Sequence, residues 1–273
     1  RTTGRRRTVW QSGVRKTMSS THIATAITNA NRFLPHLLIA DEVRSATMTA
    51  TNSSSTSVAV KTMTTYSRWT PTAGATITAT FSGAKSIDYA AIYVTASAGT
   101  YTLEWYNGSS WAAIGSGLSR TGAGCVAWVF ESVSASALRI VCSSTPSIAV
   151  FKAGARTQIP VGIGVGYEPS LFNPTEKISN TASVTGQILG TSVESQRIEE
   201  SLKFDMIDPD WVGTNWPALR QLMRTVGVFL AWNLKDFPEH VVYGAITGDP
   251  SAAYSQTDAM RISLKIEGPK HVL

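Results

Sequence analysis

The sequence predicts a mainly β protein built in two parts, and three observations carry that prediction. Charged residues make up only 15% of the chain while Ser, Thr, Ala and Gly abound, a balance that suits solvated sheet faces and turns better than helix bundles. Between Val58 and Ala155 one short alternating or apolar run follows another with turn signals between them, the pattern of a sandwich. At 273 residues the chain exceeds a typical single domain, so two cores are the default.

Taken in order, residues 1–36 read as a basic, Thr-rich arm that ends in an apolar anchor, Phe33 to Ile39. Residues 37–155 form the sandwich, with Asn52 to Ser55 its clearest loop. Ile77, Ala79 and Phe81 alternate with threonines, and Ile87 to Val94 is almost continuously apolar, as a strand covered on both faces is. Tyr101, Leu103 and Trp105 alternate before Asn107-Gly108, a type I′ hairpin signal that leads to Trp111. Cys125 to Phe130, Leu138 to Cys142 and Ile148 to Phe151 complete the series.

Residues 156–175 are a Gly/Pro connector. Gly162-Ile163-Gly164-Val165-Gly166 lacks the full phosphate-loop fingerprint, and Pro169 and Pro174 stand where its helix would begin. Residues 176–273 form a second β domain. Ile178 to Ser195 suggests a long hairpin with a mobile tip, and Leu202, Phe204 and Met206 alternate as a strand's inner face. Asp208 to Trp211 reads as a turn before a short helix. That helix would be capped by Asn215, with Pro217 in its first turn, Leu219, Leu222, Met223 and Val226 on its buried face, and Gly227 as its left-handed exit. Val228 to Trp232 is a strand, Gly248 to Asp258 a loop, and Met260, Ile262, Leu264 and Ile266 point inward from the last strand.

Charge is concentrated rather than spread. Arg1, Arg5, Arg6, Arg7, Arg15 and Lys16 lie in the first twenty residues with no acid, whereas from residue 161 onward nine bases face thirteen acids. Such an arm binds nucleic acid or threads onto an acidic neighbouring subunit. With no helical reader beside it, specific nucleic-acid binding is not expected. The acids Asp208 and Asp210 are candidate receivers for Arg5, Arg6 and Arg7 of a neighbouring copy.

Catalytic and metal chemistry finds little support. His22, His36, His240 and His271 stand in no metal spacing, so no metal or cofactor is expected, although His240 is a candidate pH-sensitive contact. No Gly-x-Ser-x-Gly elbow or Cys-His arrangement is legible, and Asp208 and Asp210 are explained by a turn and helix start rather than by a glycosidase acid pair. Cys125 and Cys142 are expected as buried thiols of a reducing cytoplasm, a pair on adjacent strands being the alternative. No apolar run approaches membrane-spanning length, and the start lacks signal-peptide order. Trp69, Tyr106, Asn107 and Trp111, near sandwich turns, are candidate sugar-binding residues: an aromatic face meets the C–H face of a pyranose and Asn107 offers hydrogen bonds, while core filling is the competing use of the rings.

Two stretches resemble known families. "SRWTP" (Ser67 to Pro71), "TITATFSGAKSIDYAAIYV" (Thr76 to Val94), "YTLEWYNGSSWAAI" (Tyr101 to Ile114), "ALRIVCSS" and "SIAVFKAGA" (Ser147 to Ala155) resemble a discoidin-type, galactose-binding-like jelly roll. That resemblance implies a module of a kind that often binds glycans and also serves as an inert spacer. "LGTSVESQRIEESLKFDMIDPDW", "VFLAWNLKDFPEHVVYGAITGD" and "MRISLKIEG" resemble the C-terminal region of distal-tail or minor-tail proteins from long-tailed bacteriophages, and their strand, helix and hairpin order is similar to tail-tube and belt folds.

This second resemblance implies a non-enzymatic virion protein of the tail tip, made in the bacterial host cytoplasm. Its partners would be other copies in a ring, tail-tube and tip-hub proteins, and host surface glycans. The alternative is a carbohydrate-binding adhesin for host envelope glycans. A polysaccharide-degrading enzyme is the weakest reading, because no acid pair is visible.

Overall fold

The computed structural model describes residues 21–23, 34–51, 57–62, 64–70, 72, 74–96, 98–145, 147–170, 172–185 and 187–269. Arg5, Arg6 and Arg7 lie outside them. The protein is mainly β, with two seven-stranded sheets and, among the described residues, one α-helix.

The sandwich sheet contains β1 (Thr21–Ile23), β3 (Thr47–Ala50), β4 (Thr76–Ala96), β5 (Gly99–Tyr106), β6 (Trp111–Arg120), β7 (Gly124–Cys142) and β8 (Ser147–Gly154). Its main order is β3-β4-β7-β5-β6, with β8 on β4 and β1 parallel to β7. The alternating run at 77–81 and the apolar run at 87–94, expected as separate strands, are one strand, β4, whose register shift between Thr80 and Lys85 absorbs extra residues of β4 and whose shift between Ile87 and Tyr89 absorbs extra residues of β7. Its apolar run is covered on both faces, as the composition required. Ala90, Ile92 and Val94 join Trp69, Trp128 and Leu138 in the sandwich core, while Tyr89, Ala91 and Tyr93 pack toward the second sheet.

The second sheet runs β10-β11-β14-β13-β12-β2-β9, from β10 (Thr175–Ala182), β11 (Ile188–Ile207), β14 (Ala259–Pro269), β13 (Val241–Gln256) and β12 (Val228–Ala231) to β2 (His36–Leu38) and β9 (Thr157–Gln158). This topology changes the linear plan. Leu37 and Leu38, placed in the sandwich by sequence, belong to the second sheet, and so do Thr157 and Gln158 of the connector. Because His36 pairs with Gln158 and the Ile159 amide donates to the Pro35 carbonyl at 2.9 Å, strands β3 to β8 leave the second sheet and return beside their point of departure.

The helix α1 (Pro209–Met223) begins earlier than expected. Asp208, not Asn215, caps it, accepting from the Asp210 amide at 2.8 Å with Pro209 at the first helical position. Asn215 instead donates back to the Trp211 carbonyl at 2.9 Å, and Pro217 lies inside the helix. Val212, Trp216, Leu219 and Met223 form the buried stripe, whereas Leu222 is exposed. Gly227 is not a left-handed exit. A Cβ there would lie 2.3 Å from the Tyr243 hydroxyl, so close approach is what requires glycine.

Two bulges hide further strand. Met206 sits at φ 63° where β11 shifts register against β14, so it is exposed rather than inward, and Ile207 takes the buried place. The expected loop at 248–258 is mostly β13, interrupted by a register shift between Thr247 and Ser251 where Gly248 has φ 74°.

The two sheets meet through an apolar layer that includes Leu38, Tyr89, Tyr93, Val150, Phe229 and Tyr243. Within it Lys152 is fully buried, donating to the carbonyls of Ile39 at 3.0 Å and Gly227 at 2.5 Å. Burial pushes its ammonium down to about 8, against the pull of Asp41, whose own carboxyl burial raises to about 6. At the returning crossover, Asp88 accepts from the Arg156 amide at 2.6 Å and pairs with its side chain. Cys125 and Cys142 are both buried and are not joined in a disulfide, and burial raises each thiol well above its ordinary range.

Replacing Lys152 by Ala leaves the buried Ile39 and Gly227 carbonyls without their donor and removes a favourable charge from Asp41; it is expected to cost about 2–4 kcal/mol in urea unfolding, whereas Lys152→Met combined with Asp41→Leu recovers part of that loss. Equal loss in the single and double variants would show that the pair is not what the junction depends on.

Candidate functional site

The open face of the five strands β3, β4, β7, β5 and β6 is assembled by register from residues far apart in sequence. One row across the strands is Thr47, Thr80, Ala137, Tyr106 and Trp111. The next is Thr49, Thr78, Arg139, Glu104 and Ala113. All ten alternate with core residues such as Ile77, Ala79, Leu103, Leu138 and Ile140, so they stand on the side away from the sandwich core.

At the β6 end of this face, Tyr106 and Trp111 are cross-strand partners with ring centroids 5.3 Å apart and a 49° tilt. The Arg139 guanidinium carbon lies 4.2 Å from the Trp111 ring centroid. Arg139 is held in turn by the Glu104 carboxylate, which accepts from its Nε. The indole is therefore braced on one face by a cation whose charge Glu104 balances, and it remains partly exposed. Such a preorganised aromatic surface can stack on an apolar ring face at little ordering cost.

The four sugar-binding candidates from sequence separate here. Tyr106 and Trp111 come together. Trp69 is fully buried in the sandwich core, bonded through its backbone to Ile148 (2.8 and 2.9 Å), and cannot meet a ligand ring. Asn107 is committed to the turn: its Oδ1 accepts from the Ser109 amide, the Ser109 hydroxyl and the Ser110 amide, each at 2.9 Å. The turn itself differs from the I′ expectation. Gly108, at φ 101°, holds the first central position, as in the II′ class, with Asn107 and Ser110 flanking it. Arg139 and Glu104 were missed. Arg139 interrupts an apolar strand pattern between Leu138 and Ile140, but only strand register reveals which ring it touches.

The acids expected to cluster before the helix are mostly occupied structurally. Asp205 pairs with Arg261, Glu199 with Lys265 and Arg197, and Asp208 caps α1. Glu200 is fully buried and accepts from the Ser170 amide at 3.0 Å and the Tyr167 hydroxyl at 2.7 Å, with burial raising its carboxyl. Among the described residues, no three His, Cys, Asp or Glu side chains converge as a metal site, and no helix is long and apolar enough to cross a membrane.

His240 is buried beside Trp232 and Phe237, and its Nδ1 accepts from the Trp232 indole N–H. Accepting that bond requires the neutral ring, and burial pushes its pKa down to about 4.

No family model matches the chain, and no curated protein matches it. Among solved structures, a family 32 carbohydrate-binding module of Clostridium perfringens NanJ in complex with galactose aligns at 11% identity, covering 45% of this chain and all of that one, with a TM-score of 0.39. Another Clostridium perfringens module, in complex with GalNAc-β-1,3-galactose, aligns at 15% identity over 42% of this chain and all of its own, at 0.38. A chitosan-binding module from Paenibacillus sp. IK-5 aligns at 15% identity over 42% of this chain and 99% of its own, at 0.36. Overlap this low leaves the ligand of this chain to be argued from its own side chains.

The unfolded chain takes up a proton on His240 near its ordinary 6.5, the folded chain only near 4. Stability contributed by the neutral ring is therefore lost as pH falls through that window, by at most roughly 3 kcal/mol. In urea titrations the difference between the wild type and His240→Gln should shrink as pH drops from 7 to 4, and a constant difference would refute the assignment.

Proposed function

We propose that this protein is a non-catalytic carbohydrate-binding protein whose sandwich presents the Tyr106–Trp111 pair to a sugar ring. The observation that supports this reading is the brace. Arg139 lies on one face of the indole and Glu104 fixes Arg139, so the ring is held in place before any ligand arrives. A host envelope glycan is the ligand class that suits the resemblances in the sequence. The expected result is that the full chain binds an oligosaccharide in a glycan screen, and that Trp111→Ala weakens binding at least about tenfold, or 1.4 kcal/mol. Circular dichroism would confirm that the variant keeps its fold. Binding that is indifferent to Trp111→Ala would overturn the proposal.

A second reading, compatible with the first, is a structural subunit of a phage tail tip. It is favoured by the exposed apolar side chains Ile178, Leu189 and Val193 on the β10–β11 hairpin and Val184 at its tip, on a sheet whose outermost strand is β10. Ile178 and Val193 stand opposite one another in register. An apolar edge of this kind is suited to strand addition by another copy, and ring closure would remove it from solvent. Asp208 and Asp210 are exposed, and although Asp208 also caps α1, both would face the basic arm of a neighbour in this reading. Light scattering across ionic strength should then give the mass of a closed ring of three or six subunits, weakened by salt and by Arg5, Arg6 and Arg7→Glu. A monomer at every salt concentration would count against self-assembly.

A further inference from the structure

Beyond a single stacked ring, the face around Trp111 has a length and a charge balance that define its ligand more closely. Trp111 is on β6, at one side of the five-strand face, and Thr47 and Thr49 are on β3 at the other. Four inter-strand steps of about 4.8 Å separate them, roughly 19 Å in all. One pyranose does not cover that distance.

Along those steps the surface changes character in an ordered way. An aromatic pair comes first, then the Arg139–Glu104 pair, then the adjacent hydroxyls of Thr78, Thr80, Thr47 and Thr49. Each threonine hydroxyl can both donate and accept, which suits a ligand made of hydroxyl groups. Arg139 and Glu104 are the charged members of the two rows, and they neutralise one another. A carboxylated sugar reaching for Arg139 would meet the Glu104 carboxylate at the same place. It would have to break the ion pair that holds the guanidinium against the indole.

We infer that this face takes an extended, uncharged oligosaccharide lying across the strands, one unit on Trp111 and the following units over the threonines. The inference rests on the carbohydrate-binding reading above and adds to it the length and charge class of the ligand.

Titration calorimetry on the full chain would use neutral gluco-, manno- and galacto-oligosaccharides from monosaccharide to hexasaccharide, with oligogalacturonides of matched length. For at least one neutral series, affinity should rise about tenfold or more with length. The Thr78→Val, Thr80→Val double variant, whose side chains keep the strand propensity, should flatten that rise and leave the monosaccharide affinity unchanged, with thermal unfolding confirming the fold. Binding that is lost in Trp111→Ala yet independent of length, or tighter for oligogalacturonides, would overturn this inference alone. Absence of any carbohydrate binding, or indifference to Trp111→Ala, would remove the underlying reading as well.

Discussion

A single ammonium group inside an apolar layer ties the two halves of this protein together. Lys152 extends from β8 and reaches the carbonyls of Ile39, on the chain leaving the second sheet, and Gly227, before β12. A buried cation is tolerated only where its protons are bonded and a counter-charge is close, and Asp41 supplies the latter. The surroundings follow from this. Gly154 lets the Ala40 backbone come near, since a Cβ there would be 2.7 Å from the Ala40 carbonyl oxygen, and Gly227 allows Tyr243 to close over the junction. With Asp88 and Arg156 holding the returning crossover, both chain connections into the sandwich are fixed by polar contacts inside packed surroundings.

That mounting explains the composition of the long strands. A strand at the outside of a sandwich alternates between apolar and polar residues, but the second half of β4 has a core on each side and cannot. Tyr89, Ala91 and Tyr93 serve the junction while Ala90, Ile92 and Val94 serve the sandwich core. The first half of β4 has only one covered face, so Thr76, Thr78 and Thr80 alternate with Ile77 and Ala79. The change from alternating to continuous apolar sequence along β4 marks where the second sheet begins to cover it. The candidate binding face lies on the uncovered half.

Sequence patterns were legible wherever the backbone stayed regular. The inward set on β14 was readable from its period, the double-sided run at Ile87 to Val94 from its unbroken apolar character, and the β10–β11 hairpin from its Thr, Ser, Val and Gly content. Features that depend on one residue out of register were not. The bulge at Met206 leaves the alternation of the sequence intact, so Met206 read as an inward residue, and the shift around Gly248 read as a loop. Asp208-Pro209 satisfies turn chemistry and helix-cap chemistry equally well, so the helix start was placed too late. The insertion of the sandwich between β2 and β9 left no local mark, because two- and three-residue strands carry too little pattern. At the site, Trp69 and Trp111 both stand near turns. What separates a core indole from a surface one is which strand lies opposite, a non-local property.

The packed junction also bears on how the proposed site would work. A sheet-face platform makes few enclosing contacts, and an exposed stacked ring with a few hydroxyl bonds supports weak binding per copy. Copies held in fixed relation gain by effective concentration, on the order of 10²–10⁴ over one site, provided their platforms point consistently. A flexible tether would dissipate that orientation. Lys152, Asp41 and the apolar layer that includes Phe229 and Tyr243 hold the platform in a set direction relative to the β10–β11 hairpin. Under the two proposed readings, self-association through the hairpin and recognition through the Trp111 face would reinforce one another, and loosening the junction would weaken multivalent binding.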